Sequence, residues 1–134
     1  MGYLLDTSTL VDVLRGDVDV RRRLLDQPPR TVHTCSVVRA ELVAGCGLAR
    51  EPMTEHAKVE RLLRPLLSLP FDDAAADAYG SLRAILQRAG SGVGSNDLMI
   101  ASIALARQLT LVSSNTREFA RIPGLPVEDW RAAA

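Results

Sequence analysis

The chain has 134 residues, with 16 basic and 16 acidic side chains, 47% hydrophobic residues and 4% aromatics. At that length a single domain, 1–134, buries an adequate aliphatic core without disulfides, and Cys35 and Cys46 are too few and too far apart for a zinc framework. Zero formal net charge and scarce aromatics exclude a generally basic surface and a base-stacking platform; nothing resembles a signal peptide or membrane span, so a cytoplasmic chain without a membrane partner is expected.

In chain order, Tyr3-Leu4-Leu5 reads as a short buried strand that delivers Asp6 to its C-terminal edge. Thr7, Ser8 or Thr9 then caps a helix bearing Leu10, Val11, Val13 and Leu14, and Gly16 stops it. Asp6 itself has a plain alternative role as a turn or capping residue. Val18 to Asp26 reads as an Arg-rich surface helix that offers Val18, Val20, Leu24 and Leu25 to the core, and Gln27-Pro28-Pro29 ends it. Thr31 to Cys35 favours a strand, and Ser36 caps the helix Val37 to Ala44, which closes at Gly45 or Gly47. Glu41 sits in that helix among Val38, Leu42 and Val43, so its carboxylate borders the core.

Thr54 opens a helix from Glu55 to about Arg64, and Leu66 to Phe71, bounded by Pro65 and Pro70, suits a brief edge strand or an extended connection. Asp72 caps the longest helix, Asp73 to Arg88, which Gly90 ends. The run Gly90-Ser91-Gly92-Val93-Gly94 lacks the context of a phosphate-binding fingerprint and reads as a connection. Ser95 caps the helix Asn96 to Ala106, apolar on almost every side, with Asp97 in its first turn. Leu109 to Val112 is a second parallel-type strand, followed by Ser113-Ser114-Asn115, and Leu125 to Trp130 closes the chain as a strand. The βα order predicts a mainly parallel sheet with right-handed crossovers.

Asp6, Glu41 and Asp97 come from one strand end and the beginnings of two buried helices. Carboxylates about 5 Å apart repel by roughly 3 kcal/mol per pair at an effective dielectric near 20, so such a cluster needs a cation. All-oxygen ligation suits Mg²⁺ or Mn²⁺, and such an ion is a common means of activating water against a phosphodiester.

In order and spacing, Leu4-Leu5-Asp6-Thr7-Ser8, Ser36 with Glu41-Leu42 and Gly45, Asp97-Leu98-Met99-Ile100-Ala101, Leu111 to Phe119, and Pro123-Gly124-Leu125 with Trp130 resemble the PIN domain family. Within it, they resemble the VapC toxin ribonucleases of VapBC toxin-antitoxin pairs. The resemblance implies a three-layer α/β/α fold with a small, mainly parallel central sheet, and a metal-dependent endoribonuclease inhibited by a cognate VapB-like antitoxin. It also implies a homodimer that meets DNA only through the antitoxin complex. On it, Asp6, Glu41 and Asp97 bind the metal and Asn115, where many relatives carry a fourth acid, joins them at the catalytic site. An aspartyl phosphatase would need a second Asp where Ser8 stands, and a late lysine that the chain lacks. A PIN-like protein that binds RNA or a partner with little turnover is the alternative.

Overall fold

The computed structural model describes residues 2–131. Five strands, β1 (Tyr3–Leu5), β2 (Val32–Cys35), β3 (Leu67–Leu69), β4 (Thr110–Val112) and β5 (Val127–Glu128), form one sheet in the order β3-β2-β1-β4-β5. Every pairing is parallel; Leu4 lies opposite His33 on one side and Leu111 on the other. Seven helices connect them: α1 (Thr7–Leu14), α2 (Val18–Asp26), α3 (Ser36–Gly47), α4 (Pro52–Leu63), α5 (Asp73–Arg88), α6 (Ser95–Ala106) and α7 (Thr116–Phe119).

The chain moves outward from β1 to β2 and β3, then returns across β1 to β4 and β5. Right-handed crossovers therefore put α1 to α4 on one face and α5 with α6 on the other, giving the expected three layers. The direction reverses between β1 and β4. That places a crevice at their C-terminal ends, where Asp6 and the Ser113-Ser114-Asn115 loop emerge.

Leu4, Leu5, Leu111 and Val112 are fully buried in the centre of the sheet, as are Leu98, Ile100, Ala101 and Ala104 of α6. Burial on both sides explains why these segments read as continuous apolar runs. Ser102, also fully buried, satisfies its hydroxyl by donating to the Leu98 carbonyl at 2.6 Å. No helix is long and apolar enough to cross a membrane among the described residues.

Several caps differ from expectation. Asp6 caps α1, its side chain accepting the Thr9 N–H at 3.0 Å, while Thr7, Ser8 and Thr9 lie inside the helix. Cys35, Glu51 and Gly94, none with a capping side-chain bond, precede α3, α4 and α6, so Ser36 and Ser95 are first helical residues and Thr54 lies within α4. Pro52 opens α4 two residues upstream of Thr54, because a proline in the first turn forgoes only an N–H that has no helical partner. Val18 and Leu25 point to solvent; Val20 alone of α2 is fully in the core. The last strand shrinks to Val127–Glu128: its partner β4 has only three residues, and Pro126 before it has no N–H to pair.

Ile100→Ala is expected to cost about 2–5 kcal/mol, because the cavity it leaves in the two-sided core cannot collapse. Urea denaturation with an unchanged slope and a lower midpoint checks it.

Candidate active site

Asp6 stands at the C-terminal end of β1 and is 4% exposed. Burial raises its pKa above the ordinary carboxylate value, opposed by hydrogen bonds from Ser113, Thr9 and Ser8. Its Oδ1 accepts the Ser8 hydroxyl at 2.7 Å and the Thr9 N–H at 3.0 Å. Asp6 thus fills the capping role, and the bonds that start α1 also favour the ionised form of this buried carboxyl.

Glu41 projects from the middle of α3 and is half-buried. Thr7, the first residue of α1, donates its hydroxyl to Glu41 Oε1 at 2.6 Å, and Asn96 Nδ2 lies 3.5 Å from Oε2. Asp97, in the first turn of α6, has its pKa pushed up to about 7. Burial is the main cause, followed by a hydrogen bond with Glu118 and the negative charges of Glu118, Glu41 and Asp6. Those causes put Asp97 in one electrostatic neighbourhood with the other acids.

Glu118 was not singled out from the sequence. It lies on α7, where its Oε1 accepts the Gly94 N–H at 3.1 Å and its Oε2 accepts Asn115 Nδ2 at 2.7 Å. These donors, the Gly94 N–H foremost, hold its pKa low, while that of Asp97 is raised. Asn115 is exposed and acts on Glu118 through its amide, while its own N–H donates to Ser113 Oγ at 2.9 Å. The available sequence clue was spacing: Glu118 follows Asn115 by three residues, which brings both side chains to one side of a helical turn.

The residues fit a hard divalent cation by donor type. Asp6, Glu41, Asp97 and Glu118 offer carboxylate oxygens, and none forms a salt bridge with a basic side chain among the described residues. The side chains do not form a closed cage, however: no three acidic, histidine or cysteine side chains gather around one point among the described residues. Beside Glu41 and Thr7 a groove of about 620 Å³ runs between α1, α3 and α4, with Leu42 and Val59 among its buried lining and Arg15, Arg50 and Lys58 exposed along it.

Residues 3–125 match the PIN domain family. The chain is 35% identical over 128 residues to the tRNA(fMet)-specific endonuclease VapC of Salmonella typhimurium, covering 96% of this chain and 97% of that one. The chain belongs to the PIN domain family of VapC ribonucleases. Ribonuclease VapC2 of Rickettsia felis is also 35% identical, over 97% of this chain and 98% of the relative. Among solved structures, this VapC chain superposes on DNA-bound VapBC from Salmonella typhimurium with a TM-score of 0.92 at 36% identity, covering 97% of this chain and 98% of that one. VapBC2 from Rickettsia felis, bound to a DNA fragment from its promoter, gives 0.90 at 34% identity, covering 97% and 99%.

The raised pKa of Asp97 sets the sign of a pH effect. Its folded value of about 7 lies above the 3.8 of an unperturbed Asp, so between those values the folded chain binds more protons than the unfolded one. This contribution to stability is complete below pH ~4 and is lost as pH rises through ~7. In metal-free buffer, Asp97→Asn is therefore expected to gain thermal stability relative to the parent across that window and to hold the gain above it. Parallel melting curves at pH 4 to 8 measure the difference.

Proposed function

We propose that this VapC chain is a Mg²⁺- or Mn²⁺-dependent endoribonuclease, the toxin of a type II toxin-antitoxin pair that acts on RNA in the cytoplasm. The observation that carries the reading is the set of carboxylates without a salt bridge to a basic side chain around Asp97, whose pKa is pushed up to about 7 by burial first and by the neighbouring acids after it. Asp6, Glu41 and Asp97 would hold the ion, with Glu118 as a fourth carboxylate. When bound, the ion supplies charge neutralisation, polarises the scissile phosphate and makes water a better nucleophile near neutral pH.

The chain's own residues prepare that chemistry. Thr7 fixes the rotamer of Glu41 by its 2.6 Å bond, so one oxygen is committed to the protein and the other is directed by Asn96. Asn115 orients Glu118 without adding negative charge, which supports a site with one tightly held ion. Loading requires Asp97 to release its proton, a step whose cost falls as pH approaches 7.

The partner reading is a VapB-like antitoxin that blocks the site, within an assembly of VapC homodimers that meets DNA only through the antitoxin. Its support is the VapBC nature of the similar solved structures, together with the groove beside Glu41. Aliphatic lining with charged side chains suits an amphipathic peptide segment, and an Arg at its end would match the carboxylates by its planar fork. The residues 1–134 then serve as a single PIN-like domain.

Asp6→Asn, Glu41→Gln and Asp97→Asn are each expected to remove hydrolysis of a labelled RNA while leaving the fold intact, as EDTA does to the parent. Full cleavage by Asp97→Asn in low millimolar Mg²⁺ overturns the ligand assignment; RNA binding without any cleavage by the parent favours a binder. An antitoxin peptide with its Arg changed to Ala is expected to inhibit at least tenfold less well than the original in the same assay, since a lost charge-assisted hydrogen bond is worth about 1.5–3 kcal/mol. Equal inhibition moves the contact away from the acids.

A further inference from the structure

Asp6 is served by hydrogen bonds that start in the loop after β4. The Ser114 N–H donates to Ser8 Oγ at 3.1 Å, and the Ser8 hydroxyl donates onward to Asp6 Oδ1 at 2.7 Å. Beside it the Asn115 N–H donates to Ser113 Oγ at 2.9 Å, and Ser113 Oγ lies 3.5 Å from Ser8 Oγ. A serine hydroxyl carries a single proton. That of Ser8 is committed to Asp6, so Ser8 is the acceptor in its contact with Ser113, and Ser113 donates toward the Ser8–Asp6 pair. The dipoles therefore run one way, from two consecutive peptide N–H groups through two hydroxyls to one carboxylate.

This arrangement exceeds what a turn needs. Asp6 already caps α1 through the Thr9 N–H, and Thr9 Oγ1 already ties α1 to the Val112 carbonyl at 2.9 Å. Ser113 is fully buried, and the two hydroxyls join residues 105 apart in sequence. The loop they hold leads directly into α7, which carries Glu118, and contains Asn115, which orients it.

We propose that Ser8 and Ser113 are positioning residues, whose hydroxyls lock the Asp6 carboxylate in register with the Ser113-Ser114-Asn115 loop so that the acids of β1 and α7 receive a divalent cation as one preset unit. The inference rests on the metal-dependent reading above. On this proposal the effect of the two hydroxyls lies in the geometry of the carboxylates that would hold the ion.

The test uses the full chain and Mn²⁺ alone as the probe, by calorimetric titration, beside RNA cleavage kinetics and metal-free melting curves. Ser8→Ala and Ser113→Ala are each expected to weaken Mn²⁺ binding about 10- to 100-fold, the range seen when groups that orient metal ligands are removed. Both are expected to lower kcat with KM for RNA unchanged. Ser8→Thr keeps a hydroxyl and is expected to restore Mn²⁺ affinity, which keeps the proposal testable if Ser113→Ala folds poorly. The double variant is expected to lose less than the product of the two single losses, because both hydroxyls serve one carboxylate. A parent that neither binds Mn²⁺ nor cleaves RNA removes the metal reading and this inference together. A parent that does both, with Ser8→Ala matching its Mn²⁺ affinity and kcat, removes this inference alone, as does a lower melting temperature with Mn²⁺ affinity unchanged.

Discussion

A negative charge buried to 4% exposure must be stabilised where it lies, and Asp6 meets that condition with donors from two segments of the chain. The Thr9 N–H comes from the helix that Asp6 itself begins; the serines come from α1 and from the end of the neighbouring strand. The parallel sheet makes this possible. Its adjacent strands β1 and β4 end side by side where the winding reverses, so their following residues meet at close range. Had β1 and β4 been separated by another strand, Asp6 would have only its own helix for support.

The remaining acids follow a different rule. Glu41 and Glu118 are each held by donors, whereas Asp97 has its pKa raised by burial and by the neighbouring acids. A group of carboxylates near one another is a strained ground state, and the fold retains it by placing each acid on a separate, firmly packed element: β1, α3, α6 and α7. The buried apolar length of α6 is what anchors the least comfortable of them. On the proposed reading, function opposes stability locally, and the sheet and α6 supply the difference elsewhere.

Much of this was legible in the residues. Short apolar runs followed by hydroxyl residues marked β1 and β4, and the alternation of strands with helices fixed a parallel sheet. The end of α2 follows from Gln27-Pro28-Pro29, and the limits of α5 from Asp72 and Gly90; the Asp17 cap of α2 emerges only in the structure. Three acids were recognisable because an acid in a largely apolar segment demands a reason. Glu118 was not, because α7 is one turn long and polar, and nothing in its pattern separates a site carboxylate from a surface one. Its place beside the other acids appears only when the Gly94 N–H and Asp97, both distant in sequence, meet it next to nearby Asn115. Gln108 likewise adopts φ 57 between α6 and β4, a left-handed conformation usually given to glycine, which composition alone does not foretell.

The sheet is open, and its two outer strands decide how the chain behaves in company. β3 has three residues, with Pro65 shortly before it and Pro70 immediately after. β5 has two, immediately preceded by Pro126. Neither presents a run of free backbone groups long enough to template a strand from another molecule, and proline interrupts the donors at each border. The rims of the sheet therefore offer little edge on which a strand of another molecule could pair.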